Sequence, residues 1–289
     1  MGIRLKQEIT ANWLAEKMGL QITGNEGLII RSICPHNDAV PSSISFTRDF
    51  DGEVFPKDRV VFALPNTNLN IDCKIEATNP RLAFARALNI LKNEPGFILH
   101  QKLSTIPEDV KISSSATIGK AVKIGCRTVI GHNVVIYDGV SIGEDCYIKS
   151  NTVIGEDGFG FERDENGLPV RIQHIGSVRI GNRVEIGSLN TICRGTIGHT
   201  IIEDDVKIDD HVHVAHNCHL GQKSLVAACV EFSGGVNVGE QCWIGPNSSI
   251  KQKITIGDFA FIGIASNVTK DVVSGVKVAG NPARSLRMK

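Results

Sequence analysis

Long apolar runs are missing from this sequence. Nowhere do about 18 apolar residues follow one another, so it offers no membrane-spanning helix. Its start, MGIRLKQEITANW, lacks the apolar stretch of a secretory signal, and Lys6 stands where a myristoylation motif needs serine or threonine. A cytoplasmic chain is the expectation. Net charge is missing too: 31 Lys and Arg balance 31 Asp and Glu. No global field then draws the protein to nucleic acid or anionic lipid, and partners must be sought in local sites. The eight cysteines include no CxxC pair and no zinc spacing, so in a reducing compartment they are expected to be thiols.

What is present is a period of six. Isoleucine occupies nine successive places, Ile106, Ile112, Ile118, Ile124, Ile130, Ile136, Ile142, Ile148 and Ile154. The series resumes at Ile180, Ile186 and Ile192, slips by four residues through GTIGHT, and runs on from Ile202 to Val268. Glycine follows the aliphatic residue in about half of the 24 repeats, and the fifth position is small or β-branched, as at Val122, Thr128, Val134, Cys146, Cys218 and Cys242. Two inward residues per six, with a tight turn between them, describe one face of a coil. Three faces close a triangular turn of 18 residues whose strands pair about 4.8 Å above and below, so a stack buries what one strand cannot. About eight coils follow from the count. In this reading Cys146, Cys218 and Cys242 fill the core, whereas Cys193 takes a place usual for glycine and stays open.

Before residue 100 the pattern changes. TANWLAEKMG reads as a helix with Thr10 as N-cap and Gly19 at its close, and NPRLAFARALNIL as a second with Pro80 in its first turn. LQITG, LIIRSI and RVVFAL read as strands between them. The expected organisation is a small α+β domain over 1–103, a parallel β-helix over 104–272 and a short tail over 273–289.

Function is expected where the repeat breaks: the insertion between Ile154 and Ile180, the slip after Ile192, and the histidine-rich HVHVAHNCH. The insertion supplies Asp157, Phe159, Phe161 and His174 as candidate substrate contacts. Four histidines, His211, His213, His216 and His219, invite a metal, but His213 and His219 fall on faces turned by about 120° and the residue one coil above His216 is Gly234. No metal is expected. The same arithmetic sets Glu231 one coil from His213 and aligns Asn217, Gly235 and Lys253 in a column. An imidazole beside a glycine gap suits a general base that deprotonates an amine or hydroxyl attacking a thioester. By spacing alone any one of these histidines could serve as that base, and a backbone N–H near Gly234 or Gly235 could meet the oxyanion.

The glycine-after-aliphatic hexads resemble those of hexapeptide-repeat acyltransferases, and the resemblance implies a left-handed β-helix. Within that group VIGEDGFGF, IGSVRIGNRVEIGSLNTICRGTI and VHVAHNCHLG closely resemble the UDP-3-O-(3-hydroxyacyl)glucosamine N-acyltransferases of lipid A biosynthesis. ITANWLAEKMGLQITG, SSISFTRD and NPRLAFARAL extend the likeness through the N-terminal domain. It implies a homotrimer with sites between neighbouring solenoids, His216 as catalytic residue, and an N-terminal domain that helps hold the nucleotide. Its uracil contacts fall on Phe46, Asp49 and Gly52, with Phe50 able to supply a ring; a second family histidine is Lys253, and the family's TIDRG is TICRG. No counterpart of the family's C-terminal helices is expected after Val268. VAGNPARSL instead resembles the tail of coenzyme A-dependent sugar acetyltransferases, which implies that Arg284, Arg287 and Lys289 contact a phosphate.

The expected activity is N-acyl transfer from an acyl thioester, acyl-CoA or acyl carrier protein, to the amine of a nucleotide-linked amino sugar, with no tightly bound cofactor. Phe159, Phe161 and Phe232 would accommodate an acyl chain longer than acetyl. An acetyl-CoA-dependent nucleotide-sugar acetyltransferase for a surface glycan and a non-catalytic β-helix are the alternatives.

Overall fold

A computed structural model describes residues 3–36, 39–47, 56–99 and 103–286. Two compact units emerge: one of Met1–Leu99, Gly160–Ile175 and Thr196–Gly198, the other of His100–Phe159, Gly176–Gly195 and His199–Lys289. Among the described residues no helix is long and apolar enough to cross a membrane.

The first unit runs β1 (Ile3–Thr10), α1 (Ala11–Met18), β2 (Ile22–Gly24), β3 (Ile29–Ile33), β4 (Ser43–Phe46), β5 (Val60–Ala63), β6 (Cys73–Glu76) and α2 (Pro80–Asn93). Thr10 accepts from the Trp13 N–H and starts α1, while Gly19, at φ 65°, closes it in the left-handed conformation that glycine adopts without strain. Asn79 caps α2 by accepting from the Leu82 N–H, and Pro80 opens it where a missing N–H costs nothing. The sheet order is β1-β3-β4-β5-β6-β2, with β3 to β6 parallel and β1 and β2 antiparallel at the edges. Central β5 is buried at all four residues, as a parallel strand covered on both faces must be. β1, β4 and β6 were not expected from the pattern; β1 buries only Leu5 and Ile9 among charged neighbours, and the other two have four residues each.

The insertion contributes a hairpin to this unit. Phe161–Arg163 pairs antiparallel with Pro169–Arg171 around a turn in which Asp164 accepts from the Asn166 and Leu168 N–H groups. Its side chains meet α2 in the pairs Arg81–Glu162 (2.8 Å) and Arg86–Glu165 (2.7 Å), and Gln173 donates to Asn89 (2.6 Å).

The second unit is the left-handed parallel β-helix. Among the described residues its sheets hold ten, eight and seven strands, most of two residues, and every pairing is parallel except the last, Lys277–Ala279 with Arg284–Ser285. Successive coils pair in register, Val129 with Tyr147 and Val135 with Val153. Glycine after the aliphatic residue has a steric cause: a Cβ on Gly187 would lie 2.5 Å from the Asp209 carbonyl carbon, and one on Gly221 2.5 Å from that of Gly239. The small inward position has a polar task as well. Thr128, Ser224 and Ser248 donate their hydroxyls to the carbonyls of Gly143, Gly239 and Gly263 one coil on, at 2.9, 3.0 and 3.0 Å. Cys146, Cys218 and Cys242 turn their thiols on the carbonyls of Gly181, Ser233 and Gly257 in the same way, at 3.1 to 3.3 Å. These cysteines fill the core and add a weak donor to each of those carbonyls.

Candidate active site

Strand pairing collects the departures from the repeat at a single corner of the prism. There the chain leaves after Val153–Ile154 and returns at Ser177–Ile180; one coil on it makes the slip between Thr191–Ile192 and His199–Ile202. One coil further, between His213–Val214 and His219–Leu220, the corner is His216 and Asn217. Gly234 with Gly235, then Gln252 with Lys253, follow above. The column is tied by backbone: the Gly235 N–H donates to His216 O at 2.9 Å and the Lys253 N–H to Gly234 O at 3.1 Å.

His216 is half-buried, and its ring occupies the space a side chain at Gly234 would need. Its Nδ1 lies 3.1 Å from Oδ1 of Asn217. An amide oxygen only accepts, so with this orientation Nδ1 is the donor of that bond. Asn217 takes the left-handed conformation, φ 61°, and donates its N–H to Oγ1 of Thr200 at 2.9 Å. Lys253 is exposed, with the same φ.

One coil below His216, Arg194 is nearly buried and pins the start of the insertion. It donates to Gly155 O (2.6 Å), pairs with Asp157 (3.6 Å) and lies 6.0 Å from the Tyr137 ring centre. The adjacent Cys193 is buried, and burial followed by the charges of Glu156 and Asp157 pushes its thiol up to about 11. A thiol so held is protonated at neutral pH and is no nucleophile. The other histidines fan onto separate partners. Nδ1 of His213 meets Oγ1 of Thr191 at 2.6 Å, and burial lowers its pKa despite Glu231 one coil above. His219 joins Glu203 (2.8 Å) and Asn237 (3.0 Å), and His211 is exposed at another corner. Among the described residues no group of three His, Cys, Asp or Glu side chains could hold a metal ion.

Two expectations need correction. Phe232 is fully buried, because it takes the inward place that isoleucine or valine fills in neighbouring coils, between Val214 and Ile250; it lines no acyl groove. Gly235 cannot lend its N–H to an oxyanion, since that group already donates to His216 O. Asp157, Phe159, Asn217 and Lys253 lie in the second unit, and Phe159 is 87% exposed. Phe46, Phe161 and His174 lie in the first: Phe46 packs on Phe84 at 5.1 Å, Phe161 under the Arg171 guanidinium at 4.7 Å, and His174 is buried with Nδ1 3.0 Å from Ile172 O. Arg284 is exposed on the last strand. Asp49, Phe50, Gly52, Arg287 and Lys289 fall outside the described residues.

Arg194, Thr191, Thr200 and Glu203 escaped the sequence reading. The slip hides them: Thr191 and His213 stand 22 residues apart where the regular coil spacing is 18, so column arithmetic never pairs them.

The signature described as bacterial transferase hexapeptide (six repeats) matches residues 121–156 and 199–234, on either side of the interrupted coils. Those two stretches together make up about a quarter of the chain. Over 115 residues it is 37% identical to the UDP-3-O-acylglucosamine N-acyltransferase of Janthinobacterium sp. (strain Marseille), covering 40% of this chain and 33% of that protein. Over 120 residues it is 39% identical to the enzyme of that name from Delftia acidovorans, covering 41% and 36%. The chain thus spans about a third of the length of the curated relatives it matches. Among solved structures, the UDP-N-acetylglucosamine acyltransferase of Francisella novicida superposes with a TM-score of 0.53 at 29% identity, over 64% of this chain and 68% of that one.

Proposed function

We propose that this protein is an acyltransferase, moving an acyl group from a thioester to the amine of a nucleotide-linked amino sugar, with His216 as general base. The observation that carries the reading is the half-buried imidazole seated over bare Gly234 at the corner where the repeat is broken. The likeness of the matched segments to enzymes named UDP-3-O-acylglucosamine N-acyltransferase supports the substrate class.

The chemistry follows from the hydrogen bond between His216 and Asn217. As the amine attacks the thioester carbonyl a C–N bond forms, and Nε2 takes the amine proton while Asn217 steadies the imidazolium through Nδ1–H. The oxyanion is met by the Gly234 N–H, because the Ser233 and Gly235 N–H groups on either side are spent on Ile250 O and His216 O. The intermediate then expels the thiolate, the C–S bond breaks, and the imidazolium returns its proton to sulfur. Lys253 and Asp157 are proposed to contact the sugar nucleotide. Residues 1–103, with Phe46, Phe50, Phe161 and His174, are proposed to hold its base, and Phe159 the acyl chain. The donor is acyl-CoA or acyl carrier protein; Arg284, exposed at the last strand, suits a CoA phosphate. The enzyme is proposed to work in the cytoplasm as a homotrimer, with the His216 corner facing a neighbouring solenoid.

Incubation with acetyl-CoA, longer acyl-CoA or acyl carrier protein, against a panel of UDP- and dTDP-amino sugars, tests this by mass spectrometry. One sugar should gain one acyl group as the free thiol appears. No product from any pairing would remove the reading.

A further inference from the structure

The first unit holds a cleft of about 560 Å³ that plays no part in the proposed chemistry. It opens between the end of α1, one face of α2 and the hairpin of the insertion, all within that unit. Its walls are mainly aliphatic, from Leu20, Leu82, Ala83, Ile90 and Val170, with Thr78, Asn79 and Asn89 also lining it and no aromatic ring among the lining side chains. At the rim stand two cations, Lys17 and Arg86, and one carboxylate, Glu165. The volume is that of small-molecule sites, and a flexible aliphatic lining without flat rings matches a methylene chain better than a nucleobase.

We propose that this cleft binds a fatty carboxylate, its chain along the aliphatic walls and its head group on Arg86. Arg86 already shows how it receives a carboxylate: both terminal nitrogens reach Glu165, at 3.0 and 2.7 Å. That pair is solvent-exposed on both sides, and exposed pairs are weak enough for a ligand to exchange with. The ligand therefore takes the place of Glu165 on the guanidinium. Glu165 sits in the hairpin turn, so occupation of the cleft trades an internal tie between hairpin and α2 for one through the ligand. This inference stands apart from the role of His216.

Isothermal titration calorimetry of the full chain with hexanoate, octanoate and decanoate, and with octanol as uncharged control, tests it. Each added methylene should tighten Kd about four-fold, since burying one contributes about 0.8 kcal/mol. Arg86→Gln should weaken octanoate roughly ten-fold and leave octanol unmoved. Glu165→Gln should tighten octanoate by removing its competitor. Val170→Phe, at a half-buried position, should fill the cleft and abolish binding while the melting temperature holds. Affinity independent of chain length, equal binding to Val170→Phe, indifference to Arg86→Gln, or no binding at millimolar concentration would each overturn it.

Discussion

The His216 ring and the Gly234 backbone lie so close that a Cβ built on Gly234 would stand 2.6 Å from Cε1 and 2.7 Å from Nε2. No real Cβ sits so near, and what gives way is the ring, the far end of a flexible side chain. Gly234→Ala should therefore swing His216 aside and leave the coil intact. The expected result is a stability change within about 1 kcal/mol in urea melts and a fall in acyl-transfer rate of about ten-fold or more. Wild-type activity in this variant would show that the ring position does not matter.

Phe232 and Phe159 separate the core from the surface. Phe232→Ala opens a cavity in the prism and should cost about 3–5 kcal/mol, whereas Phe159→Ala, at a residue 87% exposed, should change stability by less than about 0.5 kcal/mol. Denaturant titrations of both variants check this. A mild loss at Phe232 would mean that the inward row repacks easily.

How far the sequence could be read depended on what each feature repeats. The inward isoleucines recur every six residues because each coil presents the same place to the same core, so the run from Ile124 to Ile154 announced the prism, while Ile106, first in the series, is exposed; the corner placing His216 beneath Gly234 followed from counting. Where the period broke, counting failed: Thr191 meets His213 only through the slip. Ties between segments remote in sequence, such as Arg81 with Glu162, leave no periodic trace. For Phe232 the place in the hexad outweighs the side chain's chemistry: a phenylalanine beside a candidate site suggests a lining residue, but the inward position buries it.

His199 makes stability depend on pH. Burial first, then the nearby Arg179, pushes its pKa down to about 4 from the ordinary 6.5, and among the described residues its buried Nδ1 has no hydrogen-bond partner. The unfolded chain binds the proton more readily, so this contribution is whole above about pH 6.5 and is lost progressively as pH falls towards 4. With discount for partial exposure, roughly 1–2 kcal/mol should disappear over that window. His213, its pKa also lowered by burial, adds in the same direction. Urea melts from pH 7.5 to 4 should show a shallower decline for His199→Gln than for wild type; parallel declines would contradict the assignment.

The most direct test of the account is the acyl-transfer rate of His216→Ala beside wild type, with melting temperature and oligomeric state followed in parallel. The rate should fall by about 10²-fold or more while both physical measures hold, because only the proton acceptor has been removed. An unchanged rate in a folded variant would contradict it.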